Sequence, residues 1–222
     1  MSYSLIIPIF NEEKTLKTLL SQIETLNDNI EIILINDGSS DRTKEILKSY
    51  HNLKIINHSK NLGKGSSLIS GVTYATNKNV IFMDGDLEIK IDCISNAIKV
   101  HKKHQNSIII GNRWNNQNKK EINFHTIGNI IINFFFNSLY KTTFKDILCC
   151  LTLIDKSLFD SLNIYSSRFS IEAELMAKIA IKRLKVEEID VNYVRRTKKE
   201  GKKLKLVDGF SVIKCIIKTK YF

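Results

Sequence analysis

The chain is poor in the residues that punctuate or staple a fold. Its 222 residues hold one proline, Pro8, with no internal repeat and no low-complexity linker. No seam between domains is marked, so a single domain is expected, long enough to bury about 70% of its unfolded surface unaided. The four cysteines, Cys93, Cys149, Cys150 and Cys215, form no Cys-x-x-Cys pair. That pattern points to reduced thiols in an intracellular protein. No apolar run reaches the ~18 residues of a membrane span. The greasiest stretch, Ile127 to Tyr140, is broken by Asn129, Asn133 and Asn137, and the apolar start at Leu5 to Phe10 is cut by Asn11-Glu12-Glu13, unlike a signal peptide. Helix-turn-helix, RNP and zinc-finger patterns are missing, which argues against a nucleic-acid-binding module. So are Gly-x-Gly-x-x-Gly and Gly-x-x-x-x-Gly-Lys-Ser/Thr, the usual phosphate-cradling loops.

Positive charge is abundant. The net charge is +11, and seven of the eleven residues 195–205 are Lys or Arg against one acid, Glu200. Such a cluster suits phosphates, whether on a nucleotide, a nucleic acid or an anionic lipid; the plainer reading is a solvated lysine-rich surface. Hydrophobic spacing alternates between short buried runs and helical periods through the first half: strands at 3–9, 30–35, 53–57, 80–83 and 107–110, helices at 12–26, 41–50, 63–76 and 92–104. The pattern predicts an α/β fold, a mostly parallel sheet with helices on both faces. Asn11 is the expected N-cap of the first helix, with acids in its first turn. The second half is less regular: helices are expected at 126–140, 172–183 and 207–220, and strands at 147–154 and 184–193.

The run Val80-Ile81-Phe82-Met83 stops on three acids, Asp84, Asp86 and Glu88. In extended backbone, alternate residues share a face. Three like charges at a strand end repel, and a divalent cation with hard oxygen ligands, Mg²⁺ or Mn²⁺, would remove that cost; the alternative is an acidic turn after a strand. Parallel sheets bind ligands beyond the carboxyl ends of their strands. Four polar clusters occupy such ends: Pro8-x-x-Asn11-Glu12, Asn36-Asp37-Gly38-Ser39, Asn61-Leu62-Gly63-Lys64-Gly65 and Asp84-Gly85-Asp86. Each alone reads as a turn with a helix cap; together they suit a nucleotide. Asp37 could accept from a base or ribose, Gly63 and Gly65 let backbone approach a ligand, and Lys64 adds positive charge.

In this order, the motifs resemble those of family 2 glycosyltransferases of the GT-A fold, and among them the dolichol-phosphate mannosyltransferase-like branch that uses polyprenyl phosphates. The residues are Pro8-Ile9-Phe10-Asn11-Glu12-Glu13, Asn36-Asp37-Gly38-Ser39-Ser40-Asp41, Asn61-Leu62-Gly63-Lys64-Gly65, Met83-Asp84-Gly85-Asp86-Leu87-Glu88 and Gly111-Asn112-Arg113. Further along, Asp146 with Cys150, Arg168-Phe169 with Glu172 and Glu174, and Arg196 followed by Glu200-Gly201-Lys202-Lys203-Leu204 continue the likeness. Gly85 stands where alanine is usual, and the segment at Leu148 and Cys149 is more apolar than the family pattern.

The resemblance implies a Rossmann-like GT-A domain with a nucleotide-sugar-binding half, 1–113, and an acceptor-side half, 114–222, the latter including the basic loop 194–206 and an amphipathic carboxyl-terminal helix. It implies that Pro8, Glu12 and Asp37 hold base and ribose, with Asn11 and Lys64 in the same donor site. Asp84 would lie near ribose and metal, Asp86 and Glu88 would ligate Mg²⁺ or Mn²⁺, and Arg113, Arg196 and Lys203 would face the donor diphosphate and the acceptor phosphate. The expected reaction is inverting transfer of a hexose from a UDP- or GDP-sugar to a polyprenyl or dolichyl phosphate; a sugar hydroxyl is the alternative acceptor. A hydroxyl would need a general base, for which Glu172, Glu174 and Asp146 are candidates unless each pairs with a cation; a phosphomonoester is already an anion. The protein is expected in the cytoplasm, peripheral to the membrane face, held there by its last helix or by an integral-membrane partner. The other reading of that helix is packing on the sheet.

Overall fold

A computed structural model describes residues 1–26, 29–114, 124–196 and 206–221. The elements are β1 (Tyr3–Ile9), α1 (Leu16–Ile23), β2 (Ile30–Asn36), α2 (Thr43–Lys48), β3 (Lys54–Asn57), α3 (Lys64–Tyr74), β4 (Asn79–Phe82), α4 (Asp92–Lys103), β5 (Ile108–Asn112), α5 (Phe124–Tyr140), β6 (Thr152–Asp155), α6 (Lys156–Ser161), α7 (Ile171–Ile181), β7 (Val186–Asp190) and α8 (Leu206–Tyr221). The strands form one seven-stranded sheet in the order β3-β2-β1-β4-β6-β5-β7. Only β6 runs antiparallel to its neighbours, β4 and β5. The expected mostly parallel sheet flanked by helices is therefore what the chain builds.

Strand alternation sorts the apolar residues into two layers. Ile6, Ile33, Ile35, Val80, Phe82 and Ile110 point into a core closed by α3, α5, α7 and α8. Leu5, Ile7, Ile9, Leu34, Ile81 and Ile109 point the other way, onto α1, α2 and α4. Burial on both faces is why these strands read as unbroken apolar runs rather than as alternating ones. On α1, Leu16, Leu19, Leu20 and Ile23 are the buried positions, the stripe that its spacing predicts.

Three local expectations are corrected. Asn11 does not cap α1: it takes a left-handed φ of 49° and the helix begins at Leu16, behind a turn in which the Glu12 carbonyl accepts from the Thr15 and Leu16 N–H groups. Glu12 and Glu13 consequently precede the helix, whose first turn has no acid. The strand expected over 147–154 is confined to Thr152–Asp155, because the preceding segment turns to bring Asp146 onto Arg113. Helix α6 was not expected; it starts immediately after β6, with Asp155 accepting from the Leu158 N–H at 3.0 Å as a side-chain N-cap.

Candidate active site

The carboxyl ends of β1, β2, β3 and β4 and the start of α3 share one rim. Asn11 joins the first two loops: its Oδ1 accepts from the Ser40 N–H at 2.8 Å, and its own N–H donates to Ser39 Oγ at 3.0 Å. Pro8 lies on β1 opposite Ile35 of β2, and its carbonyl faces Gly85. Asp37 is buried. His58 Nδ1 lies 2.8 Å from its Oδ1, which also accepts from the Leu62 N–H at 2.9 Å, while the Gly63 N–H donates to Oδ2 at 2.8 Å. A carboxylate has about four lone-pair sites, so these three protein partners leave little of Asp37 for a ligand beyond Oδ2. Gly63 and Gly65 are needed for packing: a Cβ on either would collide with the carbonyl of Ser167 or Ser166 at 2.4 and 2.0 Å.

Lys64 does not present a spare positive charge. Its ammonium is 2.6 Å from Asp84 Oδ1 and also pairs with Glu172 at the start of α7. Burial alone would lower its pKa, but Asp84 and Glu172 hold it well above its ordinary value. Burial pushes the Glu172 carboxyl up, against the pull of Lys64.

The three acids do not share an extended face. β4 ends at Phe82, the chain turns, and Leu87 takes a left-handed φ of 63°. In that turn Glu88 is held by a segment distant in sequence: its Oε2 accepts from Tyr193 Oη at 3.0 Å and its Oε1 from the Arg196 N–H at 2.9 Å. Asp86 keeps the awkward position. Burial first, then the charges of Asp84 and Glu88, push its carboxyl up to about 7, while one oxygen accepts from the Glu88 N–H at 3.0 Å. A partly buried acid in like-charged company fits a divalent cation beside Asp84 and Asp86. Glu88 is engaged by Tyr193 and the Arg196 N–H, and no group of three metal-ligating side chains is assembled among the described residues. Gly85 also has a local reason: a methyl there would come within 3.1–3.3 Å of Ile7, the Pro8 carbonyl and Leu19.

The expected phosphate-facing arginines are paired within the protein. Arg113 forms a fork with Asp146, Nε to Oδ2 at 2.7 Å and Nη2 to Oδ1 at 2.8 Å, and its guanidinium lies 5.5 Å from both the Trp114 and Tyr193 rings. Asp146 is thereby removed as a base. Glu174 is removed too: it is fully buried and accepts from the Tyr165 and Ser166 N–H groups and from Lys178. Arg196 reaches back across the molecule, Nη1 lying 3.0 Å from both carboxylate oxygens of Glu12. Lys203 and residues 197–205 of the basic loop lie outside the described residues.

The family model for glycosyl transferase family 2 matches residues 4–162, well over half of the chain. The chain belongs to that family. This glycosyltransferase is 29% identical to a dolichyl-phosphate beta-glucosyltransferase of Trichomonas vaginalis over 91% of its own length and 68% of the relative's. A second such protein from that organism is 35% identical over 53% of this chain and 42% of its own length. The dolichol-phosphate mannosyltransferase of Pyrococcus furiosus is 34% identical over 51% of this chain and 34% of its own. The chain thus spans about two thirds of the first relative and less than half of the other two. Among solved structures, glucosyl-3-phosphoglycerate synthase from Mycobacterium tuberculosis, in complex with Mn²⁺, UDP and phosphoglyceric acid, superposes with a TM-score of 0.78 at 15% identity, covering 100% of this chain and 79% of that one. That likeness is one of fold, the GT-A fold expected from the motifs.

Sequence reasoning missed several residues of the glycosyltransferase's rim. His58 follows β3, a strand end on the same rim, and was legible as such. Tyr193 carried no local signal. It enters the site because residues 192–194 pair with 88–90: Ile89 bridges Tyr193, the Lys90 N–H donates to the Asn192 carbonyl at 3.2 Å, and the Val194 N–H donates to the Glu88 carbonyl at 2.8 Å. That pairing fixes the segment carrying Arg195 and Arg196 beside the acids.

Proposed function

We propose that this glycosyltransferase moves a hexose, with inversion, from a UDP- or GDP-sugar to a polyprenyl-type lipid phosphate at a membrane surface. The observation that carries the acceptor class is the state of the three carboxylates that could have activated a hydroxyl: Asp146 is forked to Arg113, Glu174 is filled by backbone donors and Lys178, and Glu172 is paired with Lys64. An anionic phosphate acceptor needs no base. The names of the Trichomonas and Pyrococcus relatives favour the same acceptor class.

In this reading, residues 1–113 hold the donor and 114–222 face the acceptor. Asp37, through its remaining lone pair, and Pro8 line the base and ribose. Asp84 and Asp86 hold Mg²⁺ or Mn²⁺, which when bound would offset charge on the departing diphosphate. Arg196 exchanges the Glu12 carboxylate for a phosphate, supplying a planar fork that a lysine could not match. An oxygen of the lipid phosphate forms its bond to sugar C1 as the C1–diphosphate oxygen bond breaks on the opposite side, so the configuration inverts. Arg113, locked to Asp146, shapes the wall of the site through Tyr193 instead of meeting phosphate.

The test offers purified protein polyprenyl phosphate or free polyprenol with UDP- and GDP-linked glucose and mannose, with Mg²⁺, Mn²⁺ or chelator. Transfer only to the phosphate, and only with a cation, is expected. Equal transfer to the free alcohol or to a soluble sugar would overturn the acceptor; full turnover in chelator would overturn the metal.

A further inference from the structure

Among the described residues, helices α5 and α8 carry apolar side chains that nothing covers. Residues 124–140 of α5 include no Asp, Glu, Lys or Arg. One side of the helix, Ile132, Phe136 and Tyr140, is buried in the core. The opposite side is not polar, as a surface helix would ordinarily be: Ile127, Ile130, Ile131 and Phe134 fall at helical spacing and are 44%, 54%, 58% and 73% exposed. α8 extends this face. Its Val212, Cys215 and Ile216 are buried, and Tyr140 Oη donates to the Ile216 carbonyl at 2.7 Å. Gly209 lies against Ile132 of α5, and the adjacent Phe210 is 75% exposed. Along the outer side of α8, Phe210 and Ile217 alternate with Lys214, Lys218 and Lys220, and residues 209–221 contain no acid.

Among the described residues no helix is long and apolar enough to cross a membrane. An apolar stripe beside a lysine-bearing helix side is instead the composition of a surface that lies in a bilayer interface, where chains are buried shallowly and cations meet anionic headgroups. Resting on the acceptor reading above, we propose that the α5–α8 face docks the enzyme on an anionic membrane, with α5 as the inserting element. Continuity with the site supports that occupant over a second copy of the chain. Arg195 Nη1 donates to Thr126 Oγ1 at 3.0 Å in the first turn of α5, so the stripe begins at Ile127, one residue from a contact with the segment that carries Arg196. A bilayer lying on the stripe would bring its headgroup layer to the rim where the donor is held. The carboxyl-terminal helix expected to act alone is in this view the cationic margin of a surface centred on α5.

The experiment measures binding of the 222-residue chain to phosphatidylcholine vesicles with and without phosphatidylserine, all free of polyprenyl phosphate. The chain should bind the anionic vesicles and be released by salt. Ile131→Ser with Phe134→Ser should weaken partitioning at least about tenfold. Tyr74→Ser, which removes a comparably exposed ring from α3, should leave partitioning unchanged. Transfer to a short-chain, water-soluble polyprenyl phosphate should survive the double substitution, which separates docking from catalysis. No vesicle binding by the intact chain, or equal binding by the double variant, overturns the proposal. So does a dimer in sedimentation that Phe134→Ser dissociates while vesicle binding is unaffected, which would make the face a self-interface. Vesicle binding without transfer to any lipid phosphate would leave the docking face standing and remove the acceptor reading instead.

Discussion

The two ends of the parallel strands use polar residues in opposite ways. At the amino ends, many polar groups join neighbouring elements through neutral or side-chain-to-backbone bonds: Tyr3 with His101 at 3.2 Å, Asn77 with the Tyr3 carbonyl at 2.9 Å, Asn79 with the Ser2 carbonyl at 3.1 Å, and Lys156 with the Ala75 carbonyl at 2.6 Å. One acid at that end, Glu31, is held below its ordinary pKa despite its burial, because Ser4, Thr76 and Lys54 donate to it. At the carboxyl ends the partners are charged and distant in sequence, such as Arg196 on Glu12 and Lys64 on Glu172. There Asp86 is pushed the other way, up to about 7. Donors hold the acid at one end down, while burial and like charges push the acid at the other end up. The difference separates an end that holds the fold from the end where we propose a ligand binds.

The largest expected effect blurs that division. Asp146→Ala would remove the forked partner of Arg113, whose side chain is 13% exposed, and should cost about 3–5 kcal/mol in urea unfolding, although it sits at the carboxyl-end rim. Replacing both partners, Arg113→Met with Asp146→Leu, should recover much of the loss; no recovery would show that the fork is not the source. Next, Asp86→Asn should lower turnover by about 10²–10³-fold and abolish Mn²⁺ binding in titration calorimetry, with no loss of thermal stability, since a like charge has been removed. A smaller effect is expected at Asp37, whose remaining lone pair can still reach a ligand. Asp37→Asn should weaken nucleotide affinity by about ten- to a hundredfold, the worth of a charge-assisted hydrogen bond, and unchanged affinity in calorimetry would assign Asp37 wholly to holding the 61–63 loop.

The smallest effect belongs to the amino end. Burial lowers the pKa of His101 from its ordinary value, partly offset by Asp155. Below about pH 6.5 the unfolded chain binds a proton that the folded chain resists, so His101 should make stability fall as pH drops through that region. His101→Gln should flatten the slope of melting temperature against pH between neutrality and mild acid. An unaltered slope would mean that other groups set the acid response.

The fold was largely legible because β1, β2 and β4 are buried on both faces and α1 on one. Apolar spacing reports burial of that kind directly. Asp84, Asp86 and the rim clusters were legible because parallel strands point their carboxyl ends the same way. Pairing was not. Lys64 looks like a phosphate ligand until Glu172, more than a hundred residues later, arrives at the start of α7. Glu88 looks like a metal ligand by spacing, but its direction depends on a left-handed Leu87 and on the approach of Tyr193. The exposed side of α5 was hidden for a related reason: an apolar residue reads as core in sequence whether or not anything covers it. The sequence by itself determined most of the order of strands and helices, α6 excepted, and the positions of the acids and cations along the chain, since those follow from local periodicity and composition. Only the tertiary structure decided which charges neutralise one another and which apolar side stays open. Coulombic partners and burial depend on distances in space, and the fold sets those distances between residues as far apart in sequence as Glu12 and Arg196.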